Sequence, residues 1–320
     1  MDQKEGLSAT TQTPLQSLEA EASAYLAGAL APNTRRAYRA DWDDFCVWCS
    51  RHKFTALPAV PQAVALYITE LSRALKVSTI GRRIATISKA HKARGHQSPT
   101  ESKAVRTLWR AIRREKTVAQ VRKSPTLTAH IRKMVASLPT DLMGVRDRAL
   151  LLIGFAGATR RSELTNLEVS DLEINDDGLI IHIRRSKTDQ LGVGRKVGIP
   201  YGAHAQTCPV RALKEWLTAS GIADGPLFRG ITRSGKPMPE GLSDRMVARI
   251  VKRCAERVGY DATHFAGHSL RAGLATAAAQ AGASERSIQN QTGHKSLVTL
   301  RRYIRDGSLF KDNAAGKVGL

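Results

Sequence analysis

The chain has 320 residues, 42% of them hydrophobic, and carries 50 Lys and Arg against 28 Asp and Glu, for a formal charge of +22. That length exceeds what one hydrophobic core usually serves, so two domains are expected. Excess charge of one sign points to a polyanionic partner, because Lys and Arg that contact phosphates release condensed counterions. No apolar run reaches the roughly 18 residues of a membrane-spanning helix, which excludes a helical membrane protein.

Residues 1–18 are polar and aperiodic and read as a flexible N-terminal arm. They lack the basic-then-apolar plan of a signal peptide, so a cytoplasmic protein is expected. Four helical patterns follow within a predicted domain at 19–115. "PNTRRAYRADWDDFCVWCSRH" starts on a Pro-Asn-Thr signal and repeats Tyr38, Trp42, Phe45 and Cys49 at helical spacing. The segment 58–75 repeats Val64, Tyr67, Ile68 and Leu71. In 78–95, Ile80, Ile84 and Ile87 face inward, while Arg82, Arg83, Lys89 and Lys92 fall on other faces. In 98–116, Val105, Leu108 and Ile112 face inward and Arg106, Arg110, Arg113 and Arg114 outward. Solvated faces normally mix both signs of charge. These two are overwhelmingly cationic, so the eight basic residues are expected to contact nucleic-acid phosphates.

Residues 116–126 have no apolar stripe and lead to Ser-Pro, the expected linker into a second domain at 127–307. Helices are predicted at 128–138 and over the largely apolar 144–158. A β-hairpin follows, "GLIIHIRR" (178–185) paired with "RKVGIP" (195–200) across a turn. Helical patterns resume at 209–221, 243–259, 269–282 and 284–293, and 308–320 forms a tail. The fold class is therefore mainly α with a small antiparallel sheet. Cys46 and Cys49 form a Cys-x-x-Cys in a helical pattern with no further ligands at zinc spacing, so they read as packing thiols. His264 and His268 likewise have no third ligand at useful spacing, so no metal is expected.

The second domain holds a set of separated polar groups. "ATRRSEL" places Arg160 after the apolar helix, with Glu163 one turn on. "RRSKTD" places Lys187 in the hairpin turn. "AGHSLRAG" puts His268 and Arg271 on one helical face, and "TGHKSLVTLRRY" supplies His294 and, nine residues later, Tyr303. Cleaving a phosphodiester needs a nucleophile, fixed cations for the non-bridging oxygens, and an acid for the leaving oxygen. Arginine matches phosphate geometry and is permanently charged; lysine can serve as general acid; tyrosine can attack and form a covalent ester. Each residue by itself also has an ordinary structural reading: a junction ion pair, a solvated turn lysine, a helix-start histidine, a packed tyrosine.

The ordered set resembles the signature of the tyrosine recombinases, the phage integrase family, over roughly residues 20–310. "KAVRTLWRAIRREK", "IHIRRSKT" and "YIRD" extend the likeness. One departure is His294: the branch most resembled carries tryptophan there, whereas most of the family carries histidine. The resemblance implies a helical, SAM-like core-binding bundle and a catalytic domain, together forming a C-shaped clamp on double-stranded DNA. It implies that Arg160, Arg271 and His294 hold the scissile phosphate, that Lys187 protonates the leaving 5′ oxygen, and that His268 bonds the phosphate or assists the nucleophile. Glu163 orients the site, and Tyr303 attacks to give a 3′-phosphotyrosine without cofactor or ATP. It further implies a homotetramer on paired inverted-repeat sites, with the tail docking in a neighbouring subunit through Leu309, Phe310 and Val318. The setting would be a bacterial cytoplasm or a phage- or plasmid-bearing cell, in association with the nucleoid. A type IB topoisomerase-like enzyme and a non-catalytic DNA-binding regulator are the alternatives.

Overall fold

A computed structural model describes residues 18, 31–116, 127–184 and 193–308 of the chain. The chain divides into two compact units, Met1–Gln120 and Val121–Leu320. The expected arm, linker and tail, and the hairpin turn that carries Lys187, lie wholly or almost wholly outside the described residues.

The described residues of the first unit form the helices α1 (Pro32–Arg51), α2 (Pro61–Ala74), α3 (Val77–Lys92) and α4 (Lys103–Glu115). Proline occupies the first turn of α1 and α2, where its missing N–H would have had no helical partner. Ser102 caps α4 by accepting from Val105 N at 3.3 Å. The stripes expected from periodicity meet in one core of Phe45, Trp48, Cys49, Val64, Tyr67, Ile68, Ile80, Ile87, Val105 and Ile112. Phe45 and Tyr67 pack edge to face with ring centroids 5.0 Å apart. Cys49 is fully buried among them, and burial pushes its thiol up to about 11. His91 bridges this core, accepting from Ala59 N and bonding Ile87 O, each at 2.8 Å.

The second unit is built around α6 (Leu142–Ala156), capped by Asp141, whose carboxylate accepts from Gly144 N at 2.7 Å. This helix is apolar nearly all round, and Ala149 to Ile153 are all buried, as expected for a central helix. It packs on α5 (Thr128–Ala136) and chiefly on α8 (Pro209–Ser220). Its buried Asp147 is held by Arg146 at 2.7 Å and by Arg253 of α9 (Asp244–Arg257). A short helix, α7 (Arg161–Thr165), leads into the antiparallel sheet β1 (Leu172–Ile174), β2 (Gly178–Ile183) and β3 (Arg195–Pro200). The predicted hairpin is present in the register Ile181↔Val197 and Ile183↔Arg195.

Four short elements had no signal in the sequence. β1 is three residues long, α7 five, and β4 (Arg229–Ile231) pairs with β5 (Pro237–Gly241), whose "PMPEG" has low strand propensity. The unit closes with α10 (Gly267–Gln280), α11 (Glu285–Thr292) and α12 (Leu297–Ser308). No described helix is long and apolar enough to cross a membrane.

Candidate active site

The site begins where α6 ends. Ala158 is fully buried with φ of 46°, a left-handed conformation that a non-glycine residue adopts at a cost of roughly 1–2 kcal/mol. Its carbonyl accepts from Arg271 Nη1 at 2.7 Å. That turn directs the chain into Arg160, the N-cap of α7. Glu163 Oε2 accepts from Arg160 N at 3.0 Å, and Oε1 pairs with the Arg160 guanidinium. One side chain thus satisfies the helix start and fixes the arginine beside it.

Arg271 lies one turn after His268 on α10 and is 1% exposed, with Nη2 buried and not hydrogen-bonded. A buried charge of this kind is stable only where an anion or a strong acceptor meets it. Burial and the nearby Arg160 charge push its guanidinium down to about 10. Glu163 is also buried. Burial by itself would raise its carboxyl, but the hydrogen bonds from Arg160 and the Arg160 and Arg195 charges outweigh that and hold it below its ordinary value.

Tyr303 arrives on α12, which packs along α10 and α11 by burying Leu300 with Ala275, Ala279 and Ile288. Arg301 ties α12 to α11 through Glu285, with Nε–Oε2 at 2.9 Å. Tyr303 Oη then lies 3.1 Å from His268 Nε2 within the same chain. Desolvation and the Arg271, Arg160 and Arg161 charges lower the His268 pKa, so the imidazole is a neutral acceptor near pH 7.

His294 follows Gly293, the left-handed C-cap of α11, and its ring centroid is 5.9 Å from that of Tyr303. Burial and then the Arg271 and Arg160 charges push its pKa down to about 4. Its Nδ1 is 2.7 Å from Thr292 Oγ1, whose own hydrogen goes to Ile288 O at 2.7 Å. Nδ1 therefore carries the imidazole proton, and Nε2 can donate to a ligand only after protonation.

Among the described residues the structure thus brings Arg160, Glu163, His268, Arg271, His294 and Tyr303 to one place, whereas Lys187 lies outside them. Arg195, which sequence reading passed over, belongs to the same cluster. It opens β3, donates to Glu163 Oε2 at 3.3 Å and to Gln291 O at 3.1 Å, and packs against Gly293. Strand parity was the available signal: Arg195 shares the inward phase of Val197 and Ile199. Gln291 was missed as well. Its amide donates to Ala156 O at 2.8 Å and Gly198 O at 3.1 Å, seating α11 on α6 and β3.

The predicted phosphate-facing residues of the first unit divide in two. Arg82 is bidentate to Asp41 at 2.8 and 3.0 Å, and Arg83 joins Asp44 and Tyr67, so both brace α3 against α1. Lys92 pairs with Glu101, and Lys89 lies 4.6 Å over the Tyr38 ring. Arg106, Arg110, Arg113 and Arg114 are exposed on α4. Lys103, Arg106 and Arg110 line a surface cavity of about 450 Å³ with Trp109.

Three guanidiniums around one carboxylate give this cluster a positive charge that suits an anion. The profile of the Phage integrase family matches residues 126–308. The integrase/recombinase XerD homolog of Selenomonas ruminantium is 44% identical over 292 residues, covering 90% of this chain and 86% of that protein. Recombinase Cre of Escherichia phage P1, whose motifs the segments above resemble, is 26% identical and covers 82% of this chain and 80% of its own length. A lambda integrase dimer bound to a COC′ core site superposes with a TM-score of 0.61 at 19% identity, over 92% of this chain and 96% of that one. XerH bound to a palindromic difH substrate gives 0.57 at 18% identity, over 81% and 71%. These two structural likenesses establish the fold, and the sequence matches and the site above establish the kinship. The chain is a tyrosine recombinase belonging to the phage integrase family.

Proposed function

We propose that this recombinase cuts DNA through Tyr303 and that the described cluster is its phosphate site. The 3.1 Å approach of Tyr303 Oη to His268 Nε2, beside the buried and under-satisfied Arg271, carries this reading. Tyr303 Oη attacks phosphorus while its proton passes to His268, whose lowered pKa leaves it able to accept. Arg160, Arg271 and a protonated His294 stabilise the charge that builds on the non-bridging oxygens. Lys187 protonates the departing 5′ oxygen. The phosphotyrosine retains the energy of the broken bond, so the 5′ hydroxyl of a partner strand can displace Tyr303 and complete an exchange without ATP.

The substrate is double-stranded DNA carrying inverted-repeat half-sites. Lys89, Lys92, Arg106, Arg110, Arg113 and Arg114 add phosphate contacts from the first unit, so affinity falls steeply with salt. The working assembly is a homotetramer, a dimer on each of two sites. An apolar cavity of about 510 Å³ lined by Ile131, Leu152, Phe155, Ile199, Leu274 and Ala278 supports docking of a neighbour's residues 308–320 there.

The test uses a site selected by the full-length protein from a random duplex pool and rebuilt as a nicked suicide substrate. The wild type should form an adduct that persists on a denaturing gel. Tyr303→Phe should form none while binding the same duplex with unchanged affinity. Absence of a wild-type adduct, or an adduct in Tyr303→Phe, overturns the assignment.

A further inference from the structure

We infer that Arg195 is a positioning residue of the reaction: it is the counter-charge to Glu163 that leaves the charge of Arg160 available to the scissile phosphate. The inference rests on the site assignment above. Glu163 is a carboxylate at the centre of the cluster, and it meets two guanidiniums, those of Arg160 and Arg195. A carboxylate bound to Arg160 alone would neutralise much of the charge that the phosphate must see. Shared between two arginines, it orients Arg160 through the α7 backbone and leaves the set Arg160, Arg195, Arg271 and Glu163 with a surplus of two positive charges (3 − 1 = 2). That surplus matches the charge that accumulates on the phosphorane oxygens during attack.

Arg195 itself is not placed to clamp phosphate. Nη2 is committed to Glu163 and Nη1 to the Gln291 carbonyl. Its Cδ, Nε and Cζ lie close against Gly293, where a Cβ would come within 2.9–3.1 Å of them. The same guanidinium therefore fastens the start of α7, which carries Arg160, to the end of α11, which carries His294. Its neighbours reach it from three elements, with Glu163 from α7, Gln291 and Gly293 from α11, and its own β3 below. Its charge reaches Arg271, where it adds to the burial and the Arg160 charge that lower the Arg271 pKa.

Bracing and charge compensation separate in a mutant cycle read by single-turnover cleavage of the suicide substrate. Arg195→Met should lower the cleavage rate roughly 10- to 100-fold with the affinity for intact duplex within about threefold, a smaller loss than the roughly 100- to 1000-fold that follows removal of a donor touching the reacting oxygens. Arg195→Lys, which keeps the charge but not the fork, should fall between Met and wild type. Adding Glu163→Gln to Arg195→Met should raise the rate at least about fivefold over Arg195→Met alone, because the uncompensated carboxylate is gone. A double variant no faster than Arg195→Met, or Arg195→Met cleaving at the wild-type rate, overturns the inference. A wild type without a Tyr303-dependent adduct overturns the site assignment and this inference with it, whereas a normal wild-type adduct beside an indifferent Arg195→Met overturns this inference alone.

Discussion

Glu163→Gln is the most informative single perturbation of the resting protein. The carboxylate is 4% exposed and faces guanidiniums whose side chains are 17% and 20% exposed. Glutamine preserves the shape and an acceptor for Arg160 N but removes the negative charge that Arg160 and Arg195 pair with. Removing one partner of a buried pair costs about 3–5 kcal/mol, and the residual solvent access of both arginines lowers that to about 2–4 kcal/mol. In a unit of this size each kcal/mol moves the melting temperature by about 2–4 °C, so a fall of about 4–16 °C is expected by calorimetry. Bound duplex should recover more of that loss in the variant than it adds to the wild type, because a phosphate supplies the missing anion. Both measurements belong in a Tyr303→Phe background to prevent cleavage. The pH dependence has a definite sign. A carboxyl with a depressed pKa contributes its full stabilisation above the ordinary value of about 4.3 and loses it as pH falls further, so wild type and variant should converge in acid. A variant melting within about 2 °C of the wild type at pH 7, a loss of under about 1 kcal/mol on the same scaling, refutes the electrostatic account.

Two further outcomes follow from the same geometry. Gly293→Ala places a Cβ in a left-handed backbone and 2.9 Å from Arg195 Nε, so it should destabilise by about 1–2 kcal/mol and slow cleavage, as chemical denaturation and the suicide substrate would register. His294 can donate from Nε2 only when protonated, and its pKa in the free protein is about 4. Bound phosphate raises that pKa, so binding takes up a proton. Affinity should therefore strengthen as pH falls from about 8 toward about 5.5, by up to about tenfold per unit where uptake is complete. Titrations of Tyr303→Phe at constant ionic strength would show it, and His294→Gln should flatten the profile; an unflattened profile refutes the tautomer assignment.

Much of this protein is readable from the order of its residues, because helical periodicity and polar signatures are local properties. The stripes of α1 to α4 and the 178–183/195–200 hairpin need only spacing and parity, and the structure shows them. The motif residues Arg160, His268, Arg271, His294 and Tyr303 stand out as a set because a phosphodiester reaction needs those side chains. Short elements escape that reading: α7, β1 and the β4–β5 hairpin exist because tertiary neighbours complete their hydrogen bonds, not because five or fewer residues prefer those shapes. Electrostatic partners escape it too. Arg82 and Arg83 look like unpaired cations until Asp41 and Asp44, some 40 residues earlier in the chain, are seen to face them. Arg195 looks like one more cation on a basic chain until folding sets it between Glu163 and Gln291. Composition determined that the partner is an anion. Only the fold decided which cations are matched by carboxylates within the protein, because pairing depends on distances of a few ångströms between residues far apart in sequence.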